Sequence, residues 1–136
     1  MKKCLILTLS SVVAMIATAT TVHATPVFKK VWEEVYVGDD APEEFAAAVK
    51  EAKCNVCHAG KKKADRNAYG AELAKLLDKD NFKTSRMKAE PEAKDEIIEA
   101  YKKVGAVDCG NGGTWDEAFK AGNLPKDEVV SSDDDE

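Results

Sequence analysis

The feature that most constrains this chain is the segment Cys54-Asn55-Val56-Cys57-His58, which has the pattern C-x-x-C-H. Two thiols at this spacing can reach the two vinyl groups along one edge of a porphyrin, and the histidine that follows then lies beneath the iron. One short segment therefore supplies both covalent tethers and one axial ligand. The motif predicts one haem c, attached through Cys54 and Cys57, with His58 as the proximal iron ligand.

Two other interpretations of the same residues remain open. A C-x-x-C pair can form a redox disulfide, but that function is typical of a βαβ context, and the flanking pattern is helical. A structural zinc ion is the second alternative, because Cys54, Cys57, His58 and Cys109 make a Cys3His set. Adjacent Cys57 and His58 suit tetrahedral chelation poorly, so haem attachment is the preferred prediction.

Residues 1–24 are typical of a secretory signal peptide. Lys2 and Lys3 give a positive start, an apolar stretch follows, and Ala24 ends the segment with a small residue suited to cleavage. The apolar stretch is too short and too polar for a comfortable membrane span. We therefore expect an exported protein in the periplasm or an equivalent compartment, with no membrane partner.

Removing residues 1–24 from the 136-residue chain leaves 112 residues, which suits one small domain. We predict this domain over residues 25–125, followed by an acidic, disordered tail over residues 126–136. Loss of Lys2 and Lys3 changes the net charge from −5 to −7. This charge argues against nucleic acid as a partner and favours a redox partner protein.

The hydrophobic pattern predicts an all-α fold with four helices and no β-strand, and it assigns no structure to residues 25–40. Helix starts and ends carry capping or breaking residues, in chain order Asp40 with Glu43, Asp65, Pro91, Gly105, and Thr114 with Glu117. The first helix runs into the haem motif. Gly70, inside the second helix, indicates that a cofactor or a crossing helix approaches closely there.

The second axial ligand is less constrained than the first. His58 is the only histidine after residues 1–24, so a second histidine ligand from the same chain is excluded. Met87 is the only methionine left, but we predict a polar loop around it, with its side chain exposed or loosely packed, and this is a poor setting for a thioether ligand. Cys109 lies on a glycine-rich loop where a distal ligand loop is expected. We predict Cys109 as the distal ligand, with Met87 or an open, exchangeable site as alternatives.

Thiolate ligation stabilises ferric iron, so the predicted function is low-potential electron transfer. We expect no enzyme activity, because no other acid–base or nucleophile constellation stands out. The alternative function is binding or sensing of a diatomic gas, NO or CO, after reduction displaces Cys109. The basic residues 61–63 and Arg66 are either a solvated loop or a docking surface for an acidic partner or a haem propionate.

The order of attachment helix, loop, two helices, ligand loop and terminal helix resembles class I cytochrome c, a small helical domain wrapped around one haem. Cys109 replaces the usual methionine. Residues 54–73, with C-N-V-C-H, K-K-K and R-N-A-Y-G-x-x-L, are similar to haem segments of planctomycete cytochromes. Size, one haem motif and a lone downstream cysteine also resemble the subunits of the NaxLS heterodimeric cytochrome c complex of anammox bacteria. That resemblance implies ligation by His58 and Cys109, a second small c-type cytochrome as partner, NO or CO binding, and the anammoxosome lumen as location.

Overall fold

The computed structural model describes residues 26–132, so the predicted signal peptide lies outside the described residues. These residues form α1 (Pro26–Tyr36), α2 (Glu43–Ala52), α3 (Ala68–Ala74), α4 (Thr84–Ala89), α5 (Glu92–Gly105) and α6 (Trp115–Lys120). A 3-10 turn, Lys53–Val56, follows α2, and β-structure in the described part is limited to isolated bridges. The predicted all-α class is confirmed. Within the same residues, no helix combines the length and apolar character needed to cross a membrane.

Helix α5 is central, because α1, α3, α4 and α6 all lie against it. Its buried residues follow the helical spacing predicted from the sequence and are Ala93, Ile97, Ala100, Tyr101, Val104 and Gly105. Gly105 ends the helix, as predicted, and it is closely packed. A Cβ atom at Gly105 would lie 2.1 Å from Asp116 Oδ1 and 2.8 Å from Tyr36 Oη. A side chain there would therefore require the Asp116 and Tyr36 side chains to move.

An aromatic cluster joins α1, α2, α3 and α6 in the core. Its rings belong to Trp32, Tyr36, Phe45, Tyr69, Trp115 and Phe119. Phe119 is at the centre, with its ring centroid between 4.8 and 6.4 Å from each of the other five. The sequence pattern assigned no structure to α1, since charged residues interrupt its apolar ones. Tertiary contacts stabilise this helix, because Val31 and Trp32 are buried in the core.

One predicted capping box is wrong and one is confirmed. Helix α2 begins after Pro42 and has no side-chain cap, so Asp40 does not form the predicted box. Pro42 has the fixed φ that suits a helix start, and Asp40 lies two residues too early to act as the cap. On α6, Thr114 and Glu117 form both hydrogen bonds of a capping box.

The segment around Met87 is the short helix α4, and the predicted polar loop is wrong. The charges that suggested a loop pair with one another, since Arg86 contacts Glu90 at 2.8 Å and Glu96 at 2.6 Å. The Arg86 guanidinium also lies over the Phe82 ring, 5.2 Å from its centroid. Met87 is consequently half-buried against the core instead of exposed.

Residues 126–132 of the predicted tail lie along the loop that follows the haem motif. The Val130 N–H donates to the Arg66 carbonyl at 2.9 Å, and the Arg66 N–H donates to the Ser131 carbonyl at 2.7 Å. Backbone hydrogen bonds thus join residues 130 and 131 to Arg66, and the disorder of the tail stays a prediction. The expectation for residues 133–136 lies outside the described part of the chain.

The three tyrosines of the chain provide a test of this core. Burial is the main reason that the pKa of each hydroxyl, on Tyr36, Tyr69 and Tyr101, lies above its ordinary value. A pKa raised by folding means that stability is present below about pH 10 and is lost as the pH rises further. We expect tyrosinate absorbance and loss of helical circular dichroism to appear together in one alkaline step. Tyrosinate absorbance that rises near pH 10 while the dichroism stays constant would contradict this packing.

Candidate functional site around Cys54, Cys57 and His58

The haem motif follows α2 through a sharp change of backbone direction. Lys53 has φ +53°, a left-handed conformation that no other non-glycine residue of the described part adopts. The 3-10 turn then leaves Cys54 exposed, whereas Cys57 is half-buried against the core. The two thiols of the motif therefore lie in different environments, one at the surface and one facing the interior.

The interior position of Cys57 changes the chemistry of its thiol. Burial raises the pKa of Cys57 to about 12, and the neighbouring Cys54 adds to the rise. Tyr101 lies close enough that Cys57 also contributes to the raised pKa of its hydroxyl, after burial. Cys57 is thus protonated at neutral pH. No described cysteine forms a disulfide.

The imidazole of His58 is oriented by a backbone carbonyl. His58 Nδ1 lies 3.3 Å from the carbonyl oxygen of Asp65. A carbonyl oxygen only accepts hydrogen bonds, so Nδ1 is the protonated nitrogen in this contact, and a neutral ring carries its lone pair on Nε2. Metal-binding histidines commonly fix their tautomer in this way. Asp65 therefore acts through its backbone, and the prediction that it caps the second helix is wrong.

The cap of α3 is Asn67, which also holds the motif. Its Oδ1 accepts from the Gly70 N–H at 2.9 Å. Its Nδ2 lies 3.0 Å from the carbonyl oxygen of Asn55, 3.1 Å from that of Val56 and 3.2 Å from that of His58. Asn67 is fully buried. Sequence reasoning missed this residue, because an asparagine before an apolar helix indicates a cap and says nothing about contacts to an earlier turn.

Gly70 allows α3 to lie directly against the motif. A Cβ atom at Gly70 would come within 1.8 Å of the Cys57 carbonyl oxygen. The same carbonyl accepts a hydrogen bond from the Asn67 N–H at 3.3 Å. The close approach predicted at Gly70 is confirmed, but the approaching group is the backbone of the motif and neither a cofactor nor a crossing helix.

Cys109 lies on the loop between α5 and α6. Gly110 and Gly112 have φ values of +83° and +82°, which favour glycine and turn the loop back on itself. The Cys109 N–H donates to the Gly113 carbonyl at 2.8 Å and closes this turn. The Cys109 side chain is half-buried and packs against the core.

A cleft of about 240 Å³ adjoins Cys109. Ala68 at the start of α3, Trp115 at the start of α6 and the segment 123–130 contribute to its walls. The indole Nε1–H of Trp115 is buried and has no hydrogen-bond acceptor. Buried donors are nearly always paired, so this indole N–H is an exception among the described side chains.

The two candidates for the distal ligand lie on different elements, and none of Cys54, Cys57 and His58 lines the cleft beside Cys109. Cys109 shares its cleft with Ala68, which directly follows the Asn67 that holds the motif. Met87 lies on α4 and is not part of the wall of this cleft. Within residues 26–132, no three histidine, cysteine or acidic side chains are grouped closely enough to hold a metal ion. The Cys3His set of the zinc alternative is therefore not assembled.

The basic residues that follow the motif are exposed and lie near Asp127. Lys61, Lys62 and Lys63 all have exposed side chains. The Gly60 N–H, just before them, donates to Asp127 Oδ1 at 2.6 Å. The solvated loop and the docking surface both remain possible interpretations of these lysines.

Comparisons with protein-family models, with curated proteins and with solved structures find no match to this chain. The functional argument therefore uses the motif and the geometry around it. The residues that carry this geometry are Cys54, Cys57 and His58 with their supports Asp65 and Asn67.

The contact between α3 and the motif predicts an unusual response to a small substitution. Gly70→Ala should lower the free energy of unfolding by about 3 kcal/mol or more, because the new methyl group meets backbone that cannot move without displacing the motif. Gly38→Ala is the control, since its Cβ atom would have an ordinary contact of 3.8 Å. Urea denaturation of both variants measures the difference. Equal stability of the two variants would contradict the close approach at Gly70.

Proposed function

We propose that this chain is an exported monohaem c-type cytochrome that transfers electrons at low potential. Cys54 and Cys57 would form the thioether bonds, His58 would be the proximal ligand and Cys109 the distal one. The observation that carries the proposal is the contact between His58 Nδ1 and the Asp65 carbonyl, inside a C-x-x-C-H turn. This contact orients the imidazole so that its Nε2 lone pair is the one available to iron.

The residues present fit a covalent haem better than a zinc ion. Haem iron takes its equatorial ligands from the porphyrin, so the protein supplies axial ligands and tethers and needs no cluster of three or four ligating side chains. When bound, haem supplies a one-electron iron couple, and the protein holds and tunes it.

The placement of Cys109 supports thiolate ligation over thioether ligation by Met87. Cys109 is half-buried on a tightly turned loop, in a cleft that reaches the first residue of α3. Packing against the core keeps water from much of its side chain, and an anionic sulfur ligand favours ferric iron. We therefore propose that Cys109 and its loop would lower the reduction potential of the haem iron.

The remaining parts of the proposal rest on the sequence and on the resemblance to known cytochromes. The protein would exchange electrons with a redox partner and have no enzyme activity of its own. A second small c-type cytochrome would complete a heterodimer, and the small helical domain would wrap around one haem. The signal-like residues 1–24 support export to a periplasm-like compartment, or to the anammoxosome lumen if the NaxLS resemblance holds.

Electron paramagnetic resonance tests the ligand set. The ferric, haem-loaded protein should give a low-spin signal with the narrow g spread of thiolate ligation, and Cys109→Ala should abolish it. Met87→Leu is the control, because it keeps a similar apolar volume and should leave the signal unchanged. A signal that survives in Cys109→Ala and changes in Met87→Leu would assign the distal position to Met87. Failure of the chain to attach haem at all would refute the proposed function.

The cleft beside Cys109 favours gas binding as a second candidate function. Its volume of about 240 Å³ leaves room for a diatomic molecule. Reduced iron would hold an anionic thiolate less strongly than ferric iron. Protonation of the thiolate would weaken the bond further, so Cys109 would leave the distal position most readily in the reduced protein. The glycine-rich loop permits that movement, since Gly110 and Gly112 have no side chains to obstruct it.

Carbon monoxide tests this second function directly. We expect saturating CO to shift the absorption spectrum of the reduced wild-type protein slowly, and that of reduced Cys109→Ala faster, because no side chain must leave first. Stopped-flow absorbance measures both rates. A reduced wild-type spectrum that CO leaves unchanged would exclude gas binding and leave electron transfer as the function.

A further inference from the structure

Asn67 makes more contacts to the haem motif than its role as a helix cap requires. Only its Oδ1 caps α3, through the Gly70 N–H. Serine, threonine and aspartate cap helices about as well as asparagine, and none of them brings an amide donor. The carboxamide Nδ2 is therefore the part of Asn67 that capping leaves unexplained.

The Nδ2 group shares its two hydrogens among three carbonyl oxygens of the motif. These belong to Asn55, Val56 and His58, at 3.0, 3.1 and 3.2 Å. A 3-10 turn of four residues leaves such carbonyls without partners of its own, and buried carbonyls without partners are costly. One buried side chain thus replaces the hydrogen bonds that a longer helix would have made.

The backbone of Asn67 and the neighbouring glycine complete the contact. The Asn67 N–H donates to the Cys57 carbonyl at 3.3 Å, and Gly70 lies against the same oxygen. Asn67, the residue before α3, therefore contacts the carbonyl oxygens of four consecutive motif residues, 55 to 58. Asp65, two residues before Asn67, meets the His58 ring itself.

We infer that Asn67 is a positioning residue that fixes the C-x-x-C-H turn before any haem is bound and, together with the Asp65 carbonyl, sets the orientation of the His58 imidazole. The first part of this inference concerns the chain alone. The second part rests on the proposed function, because it treats His58 as an iron ligand.

The first experiment measures how firmly the turn is held. It uses the full chain without haem, where both thiols are available for chemical modification. Iodoacetamide modification of Cys57, relative to that of the exposed Cys54, is followed by mass spectrometry. Asn67→Ser keeps an oxygen for the cap and removes the amide, and Asn67→Asp does so with a closer match of shape. Thr114→Ala is the control, because it removes a helix cap on α6 outside the motif.

We expect the Cys57-to-Cys54 reactivity ratio to rise about tenfold in the Asn67 variants, because an unpaired buried group lets the turn open. The ratio should stay within about twofold of the wild type in Thr114→Ala. An unchanged ratio in the Asn67 variants would overturn the inference. An equal rise in Thr114→Ala would also overturn it, because general loss of stability would then explain the effect.

A measurement on the wild-type chain decides the matter if both Asn67 variants fail to fold. The carboxamide protons of Asn67 should exchange with solvent at least about a hundredfold more slowly than those of the exposed Asn111, by nuclear magnetic resonance. Similar exchange rates for the two side chains would refute the inference that the Asn67 carboxamide holds the turn.

The haem-loaded protein tests the effect on His58. Asn67→Ser should alter the g values of the ferric signal relative to both the wild type and Thr114→Ala, since the imidazole is less firmly oriented. Unchanged g values would refute this part of the inference. If the wild type attaches no haem, the proposed function fails, yet the reactivity ratio of Cys57 still decides whether Asn67 holds the turn.

Discussion

The turn that carries Cys54, Cys57 and His58 is held by a buried carboxamide, because it is too short to satisfy its own backbone. Asn67 supplies the amide donor to three of its carbonyls and the first hydrogen bond of α3 with its oxygen. Each buried carbonyl left without a partner would cost about 1–3 kcal/mol. The position of α3, and with it the wall of the cleft beside Cys109, therefore depends on this side chain.

The rest of the core keeps α3 and the motif together from the other side. Helix α5 touches α1, α3, α4 and α6, and the rings around Phe119 fill the space between them. The polar tips of these rings pair inside the core, as Trp32 Nε1 does with Tyr69 Oη at 3.0 Å. Trp115 is the exception among the described residues, since its buried Nε1 has no acceptor. Trp115 and Cys109 line the same cleft.

Charge is unevenly distributed around the motif. The chain is acidic as a whole, yet three exposed lysines, residues 61–63, follow the motif directly. The C-terminal segment meets this loop through Asp127 and Gly60 and through the backbone of Arg66. An acidic segment beside a basic loop lowers the local net charge, and exposed charges are further screened by salt. Asp127 therefore partly offsets the positive charge of this loop.

The sequence by itself determined the features that depend on local chemistry. The C-x-x-C-H spacing, the buried face of α5 and the capping box of Thr114 and Glu117 are readable because their residues are neighbours along one turn or one helix face. The all-α class follows from the same periodicity. The haem, the iron ligands and the function predicted from the motif stay predictions.

Only the tertiary structure decided which residues support the motif. Helix α1 forms because Val31 and Trp32 are buried by distant residues, although its own pattern is mixed. Asn67, and not the predicted Asp65, caps α3, because a cap is chosen by the geometry of the helix start and not by the type of residue alone. Contacts between separate segments leave no periodic pattern in the sequence. The hydrogen bonds from Asn67 to the motif are therefore visible only in the folded chain.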